Sequence, residues 1–253
     1  MSETPFIEAR PRKLDRLFWG RYFSLMLKRH FAHGYMFGEQ HLLGAKSATD
    51  GIPTIVVSTH ASWWDAAVAM SLAWGRHSLD MDGMMEYKQL TRYRFFSRLG
   101  IFSVVREDAS SAMRSLRYGA GRIRDSNRML WMYPQGELIH QDVARIECEP
   151  GIGILSHLVG TCRVLPVAMR YELLREQRPA CWVRFDEPLV IESGAPIRHV
   201  QAICSDALTN VRDSLRSDAM RERHDGYESF ISGRLSMEKR FDALLGRRPY
   251  TER

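Results

Sequence analysis

Six short apolar runs, spaced along the middle of the chain, restrict its fold more than any other feature. Thr54-Ile55-Val56-Val57-Ser58 is introduced by Gly51-Ile52-Pro53, carries no charge and is rich in β-branched residues. That is the composition of a strand covered on both faces. Ile101 to Val105, Met129 to Tyr133, Val164 to Met169, Cys181 to Phe185 and Leu189 to Ile191 read the same way, the last two flanking Pro188. Helical stretches lie between them: Asp65 to Trp74, Tyr87 to Leu99, Ala112 to Arg124 and Ile152 to Val159. Asp108, Ser110 or Ser111 is available to cap the third of these. Strands alternating with helices predict an α/β fold: a mainly parallel central sheet flanked by helices. An N-terminal helical segment precedes it. The expected division is 1–37 as a basic amphipathic helical segment, 38–205 as the α/β domain, and 206–253 as a C-terminal helical extension and tail.

The charge is local. Lys and Arg outnumber Asp and Glu by 36 to 30, and Arg10 to Arg29, with seven basic residues and one acid, holds all of that excess. The same stretch is full of apolar and aromatic residues, and Leu14, Phe18, Tyr22 and Leu25 follow helical spacing within a wide apolar arc. A basic, aromatic-rich helix suits a membrane surface, where cations meet anionic headgroups and aromatic rings enter the interface. The competing reading is a terminal helix packed on the core with a solvated basic face.

Several function classes drop out. The four cysteines (Cys148, Cys162, Cys181, Cys204) form no C-x-x-C, which excludes a zinc ribbon or thioredoxin-type motif. They are too sparse for a disulfide scaffold, as suits a reducing compartment. Of the nine histidines His30 and His33 are the closest pair, and no H-E-x-x-H occurs, so no metal is expected. Neither G-x-x-x-x-G-K-[ST] nor G-x-G-x-x-G is present, which argues against nucleotide-dependent chemistry. Charge confined to one helix, without a zinc finger or RNP-type motif, argues against nucleic acid. No apolar run is long enough to span a bilayer or reads as a secretory signal. The expected place is the cytoplasm, peripheral on the cytosolic face of a membrane.

Three polar motifs follow strand ends, where ligands bind in parallel α/β sheets. In Thr59-His60-Ala61-Ser62-Trp63-Trp64-Asp65 a short loop joins a strand to a helix and can bring the imidazole and the carboxylate together. A carboxylate on one ring nitrogen fixes the tautomer and leaves the other nitrogen free to take a proton from a hydroxyl. Leu99-Gly100-Ile101-Phe102-Ser103-Val104-Val105-Arg106 delivers an arginine at a strand end, a group that forks onto phosphate or carboxylate. Trp131-Met132-Tyr133-Pro134-Gln135-Gly136-Glu137 ends a strand in a Pro-x-Gly turn whose amides can face a ligand. Taken singly, each motif also fits a structural pair, a surface arginine or an ordinary turn.

Together their order and spacing resemble the glycerolipid acyltransferase superfamily, which includes the lysophosphatidate acyltransferases. His60 through Asp65 resembles its His-x-x-x-x-Asp block. Lys88, Leu90, Leu99, Gly100, Phe102 and Arg106 resemble the helix and second block. Tyr133-Pro134-Gln135-Gly136 resembles the Phe-Pro-Glu-Gly block, and Leu165-Pro166-Val167 the apolar-Pro-Val block. Pro150-Gly151 falls where the family opens a helix. The resemblance covers residues 40–200. It implies transfer of a fatty acyl group from acyl-CoA or acyl carrier protein, as co-substrate, to a hydroxyl of a lipid acceptor. In that scheme His60 is the general base, Asp65 orients it, and Arg106, Lys88, Gln135, Gly136 and Glu137 bind substrate. No cofactor and no metal is implied.

Three departures bear on the acceptor. Thr59 replaces the family Asn, Gln135 replaces Glu, and Glu137-Leu138-Ile139 replaces Thr-Arg-Ser. A family arginine associated with the acceptor phosphate is thus missing, and Glu137 puts a negative charge there. The alternative readings are a non-phosphate glycolipid or carotenoid-glycoside acceptor, or a non-enzymatic basic protein binding lipid or nucleic acid.

Overall fold

The computed structural model describes residues 6–173, 176–234, 241 and 244–246. A nine-stranded sheet runs β4-β3-β5-β2-β6-β7-β1-β9, with β8 paired to β6. The strands are β1 (His33–Phe37), β2 (Thr54–Ser58), β3 (Met81–Glu86), β4 (Ile101–Val104), β5 (Met129–Met132), β6 (Cys162–Glu172), β7 (Ala180–Phe185), β8 (Leu189–Ile191) and β9 (Glu228–Ser232). β4, β3, β5, β2 and β6 are parallel neighbours, β7 and β8 run antiparallel to β6, and β1 is parallel to β7 and antiparallel to β9. All six expected strands are present in a mainly parallel, two-sided sheet. Alternation along β2 shows why: Val56 joins the core on one face while Ile55 and Val57 join the core on the other.

The helices are α1 (Lys13–His30), α2 (Glu39–Ser47), α3 (Trp64–Met70), α4 (Tyr87–Arg92), α5 (Ala109–Ile123), α6 (Gly151–Val159) and α7 (Ile197–Met220). α1 and α3 contribute to one face of the sheet, and α5, α6 and α7 to the other. Asp108 caps α5, accepting from the Ser111 backbone N–H. The expected helix Asp65 to Trp74 changes character midway. After α3 a π-helical stretch covers Ser71–Arg76. There α1 crosses so closely that a Cβ on Gly20 would lie 2.6 Å from the Gly75 backbone. Ser24 and Ser71 hydroxyls, 2.7 Å apart, join the two elements beside that crossing. The expected helix Tyr87 to Leu99 likewise splits into α4 and a 3₁₀ stretch over Arg94–Leu99. The carbonyls of Ser97 and Arg98 turn aside to accept from the N–H groups of Arg10 and Arg12. Residues 6–12 thereby strap the exposed edge of β4, with Ile7 and Ser103 bonded in both directions.

The segment boundaries of the sequence reading cut through these elements. Residues 33–37, placed in the helical segment 1–37, form β1 inside the sheet, and the 205/206 boundary falls within α7. Of the expected C-terminal tail, residues 235–240, 242–243 and 247–253 lie outside the described residues, as do residues 1–5.

α1 has two apolar faces, which accounts for the wide arc in its sequence. Gly20, Phe23 and Leu27 are buried against the π-helical stretch and α3, whereas Leu14, Phe18, Tyr22 and Leu25, the stripe with helical spacing, point outward. Leu14 is 80% exposed and Leu25 67%. Of the seven cations in the segment, Arg16 is taken inward by Asp80, Asp82 and the carbonyls of Leu99 and Met81. The other six are exposed.

Candidate active site

β2, β3, β4, β5 and β6 end at one edge of the sheet because they are parallel neighbours. The three polar motifs therefore meet there, although 76 positions separate His60 from Gly136. The loop after β2 is tied down first. Thr59 donates its backbone N–H to the Val167 carbonyl, and its hydroxyl accepts from the Met169 N–H at 3.0 Å. β6 thus continues to grip the chain beyond the end of β2. Thr59 is a buried tie to β6.

His60 Nδ1 lies 3.0 Å from Asp65 Oδ2. The same oxygen accepts from the backbone N–H groups of Ala61 at 2.7 Å and Ser62 at 2.9 Å. Asp65 sits in the first turn of α3, fully buried, where the helix dipole favours its charge. Its other oxygen, Oδ1, accepts from the Tyr171 hydroxyl at 2.7 Å. The imidazole stacks on the Tyr133 ring, centroids 4.2 Å apart. Its side chain is 23% exposed, and no hydrogen bond engages Nε2 among the described residues. The ring is therefore held by its Nδ1 edge and one face, with Nε2 left for chemistry.

The loop after β5 secures the backbone of the same histidine. Gln135, 4% exposed, accepts the His60 N–H on its Oε1 at 2.7 Å, and Ile139 donates its N–H to the His60 carbonyl at 2.9 Å. Gln135, read from sequence as substrate-binding, is thus also an inward-facing support. Gln supplies the same acceptor oxygen as Glu for this bond without burying a charge. The Gly136 N–H is used within the turn, donating to the Tyr133 carbonyl, while no hydrogen bond among the described residues engages the Glu137 and Leu138 N–H groups. Gly136 adopts φ +75°, and a Cβ there would meet Arg106 Nη1 at 2.8 Å and Glu149 Cγ at 3.3 Å. Arg106 therefore rests on Gly136, joining the second motif to the third.

Arg106, Lys88 and Glu137 are exposed, and among the described residues no hydrogen bond or ion pair engages the side chain of any of them. Lys88 follows β3, whose Glu86 pairs with Val104 of β4, so it stands on the strand end beside that of Arg106. No contact ties it to His60, Asp65 or Gly136. Beside the imidazole lies a crevice of about 290 Å³, open solvent included, lined in part by Thr59, His60, Gln135, Ile139, Met169 and Arg212.

Residues 143–148 are fastened over this crevice by α7. Gln201, Ser205, Thr209 and Arg212 form a polar stripe at helical spacing that bonds Cys148, Ile146, Val143 and Ala144 backbone groups. The sequence reading did not identify these residues. Only their three- and four-residue spacing along the helix could have signalled them. Tyr171 was missed for a different reason: nothing local marks a tyrosine at the end of an apolar strand.

The four cysteines are buried. Burial pushes the Cys148 thiol up to about 11 and that of Cys204 to about 12, and raises Cys162 and Cys181 as well. Among the described residues no group of three or more His, Cys, Asp or Glu is placed to hold a metal ion.

A family model described as acyltransferase matches residues 41–170. No curated protein sequence matches the chain. A solved structure, that of the 1-acyl-sn-glycerophosphate (LPA) acyltransferase PlsC from Thermotoga maritima, is similar with a TM-score of 0.56. The similarity covers 81% of this chain and 79% of that one at 12% identity, a likeness of fold.

Proposed function

Because the chain belongs to the acyltransferase family, we propose that it moves a fatty acyl group from a thioester, acyl-CoA or acyl carrier protein, to a hydroxyl of a lipid acceptor. The observation that carries this reading is the His60–Asp65 pair at the mouth of the crevice, Nδ1 held at 3.0 Å and Nε2 unengaged. In the proposed reaction Nε2 takes the acceptor's hydroxyl proton as the oxygen attacks the thioester carbonyl. The Asp65 carboxylate stabilises the imidazolium that results. The tetrahedral oxyanion collapses, the carbon–sulfur bond breaks, and the leaving thiolate takes the proton back from Nε2. The Glu137 and Leu138 amides are the donors offered to the oxyanion, since that of Gly136 is occupied. No acyl-enzyme is needed, consistent with the raised thiols and the absence of G-x-S-x-G.

Arg106, supported by Lys88, is assigned to phosphate on the acceptor or on CoA, which makes a lysophosphatidate-type glycerolipid the leading acceptor. The unengaged carboxylate of Glu137 favours a second reading, a non-phosphate glycolipid such as a carotenoid glycoside. Gln135 and Gly136 shape the site from below. The outer face of α1, within residues 10–31, is proposed to lie on an anionic membrane surface. Its exposed Leu14, Phe18, Tyr22 and Leu25 are flanked by Lys13, Arg21, Lys28 and Arg29. Among the described residues no helix is long and apolar enough to cross a membrane.

Mass spectrometry of a mixed lipid extract incubated with the protein and an acyl thioester tests the function. A lysophospholipid gaining one acyl chain supports the leading acceptor and a glycolipid gaining one supports the second. No acylated product with either acyl-CoA or acyl carrier protein overturns both.

A further inference from the structure

β6 has 11 residues and outruns β2, whose Ser58 pairs with Val167. The overhang carries Met169 and Tyr171 on the face of the sheet that α3 covers. Tyr171 thereby reaches a residue 106 positions earlier in the chain, and its hydroxyl donates to Asp65 Oδ1 at 2.7 Å. The two carboxylate oxygens are treated unequally. Oδ2 is shared by three donors, His60 Nδ1 and two backbone N–H groups, whereas Tyr171 is the one donor on Oδ1 among the described residues. The backbone of Tyr171 is itself bracketed by the Gln141 side chain, which accepts from its N–H at 3.2 Å and donates to its carbonyl at 3.3 Å.

We propose that Tyr171 is a positioning residue of the catalytic site: its hydroxyl pins Asp65 Oδ1, fixing the carboxylate so that Oδ2 stays directed at His60 Nδ1 and setting how strongly that carboxylate attracts the imidazole proton. This rests on His60 acting as the base. The titratable groups facing Asp65 are His60 on its own loop, Tyr171 on β6, Tyr133 following β5 and Cys181 on β7. Burial, and then the Asp65 charge, raise both tyrosines well above the ordinary phenol range. Tyr171 is therefore held as a neutral donor. Donation to Oδ1 withdraws charge from the carboxylate. Without it a buried carboxylate oxygen has no partner, and the His60–Asp65 pair holds a shared proton more tightly.

The test is Tyr171→Phe, which removes the hydroxyl and keeps the ring, followed by NMR titration of the full chain labelled with ¹⁵N-histidine. The His60 imidazole should titrate at a midpoint higher by about half to one pH unit. In turnover kcat should fall about tenfold with KM little changed, and the acid limb of the rate profile should move up with the imidazole. A His60 that titrates as in the unsubstituted protein overturns the assignment, and a lower midpoint overturns the charge withdrawal while supporting the orienting role. Should the variant fail to fold, the unsubstituted protein decides. Its Tyr171 hydroxyl proton must be protected from exchange, and a freely exchanging one overturns the proposal. The NMR readout needs no turnover, so a failure of this link is distinguishable from a failure of His60 as the base.

Discussion

Around His60 and Asp65 the carboxylate, one ring nitrogen and the histidine backbone are each tied to a named partner, while Arg106, Lys88 and Glu137 on the rim are exposed and tied to none. The first region is preorganised: two loops, β6 and an aromatic face hold one imidazole, so little reorganisation is left for the moment of reaction. The second is free to choose among ligands, since exposed charges adjust to what arrives and cost little to change. α1 repeats the division, with an inner face locked against the π-helical stretch and an outer apolar face exposed. In the proposed function the held groups carry the chemistry and the unheld ones recognise the substrate.

Four variants sharpen or break that contrast. The largest effect belongs to His60→Ala. Loss of the base should lower kcat about a thousandfold with an unchanged circular dichroism spectrum. Turnover at the unsubstituted rate would remove the chemistry from this region. Next is the outer face of α1. Changing Leu14, Phe18 and Leu25 together to Ser should weaken co-sedimentation with anionic vesicles about a hundredfold at an unaltered melting temperature, because these side chains are not in the core. Equal sedimentation would return the helix to a purely structural role. Arg106→Ala should raise KM for a phosphate-bearing substrate about tenfold and leave kcat nearly constant, the signature of a binding contact. A fall in kcat alone would place Arg106 with the held groups instead. The smallest effect is at Glu137. Glu137→Gln should improve kcat/KM for a lysophosphatidate-type acceptor a few-fold by removing repulsion at an exposed site. A loss would show that the carboxylate contacts the acceptor.

Much of this site was legible because its signals are local. A β-branched run, a loop and a helix start within a few residues place His60 and Asp65 together, and the five-residue spacing needs only one tight turn. The strands that were missed lack such a signal. β3 reads Met-Asp-Gly-Met-Met-Glu, and its Asp82 is nevertheless fully buried, because Arg16 and Arg122, from two distant helices, neutralise it. β1 mixes glycine with histidine and is half-buried, and it follows a long basic helix that masks it. The exposed stripe on α1 was visible, but which of two apolar faces turned inward depended on Gly75 meeting Gly20 across another element.

The amino-acid order alone determined the alternation of strands and helices and the pairing of an imidazole with a carboxylate five positions later, since both arise from periodicity and short loops. The tertiary structure alone decided that Gln135 turns inward to the His60 backbone, that α7 fastens the loop over the crevice, and that Tyr171 reaches Asp65. Each of those contacts joins residues more than 50 positions apart. No local pattern encodes such a meeting, because it depends on how far one strand outruns its neighbour and on which helix covers the gap.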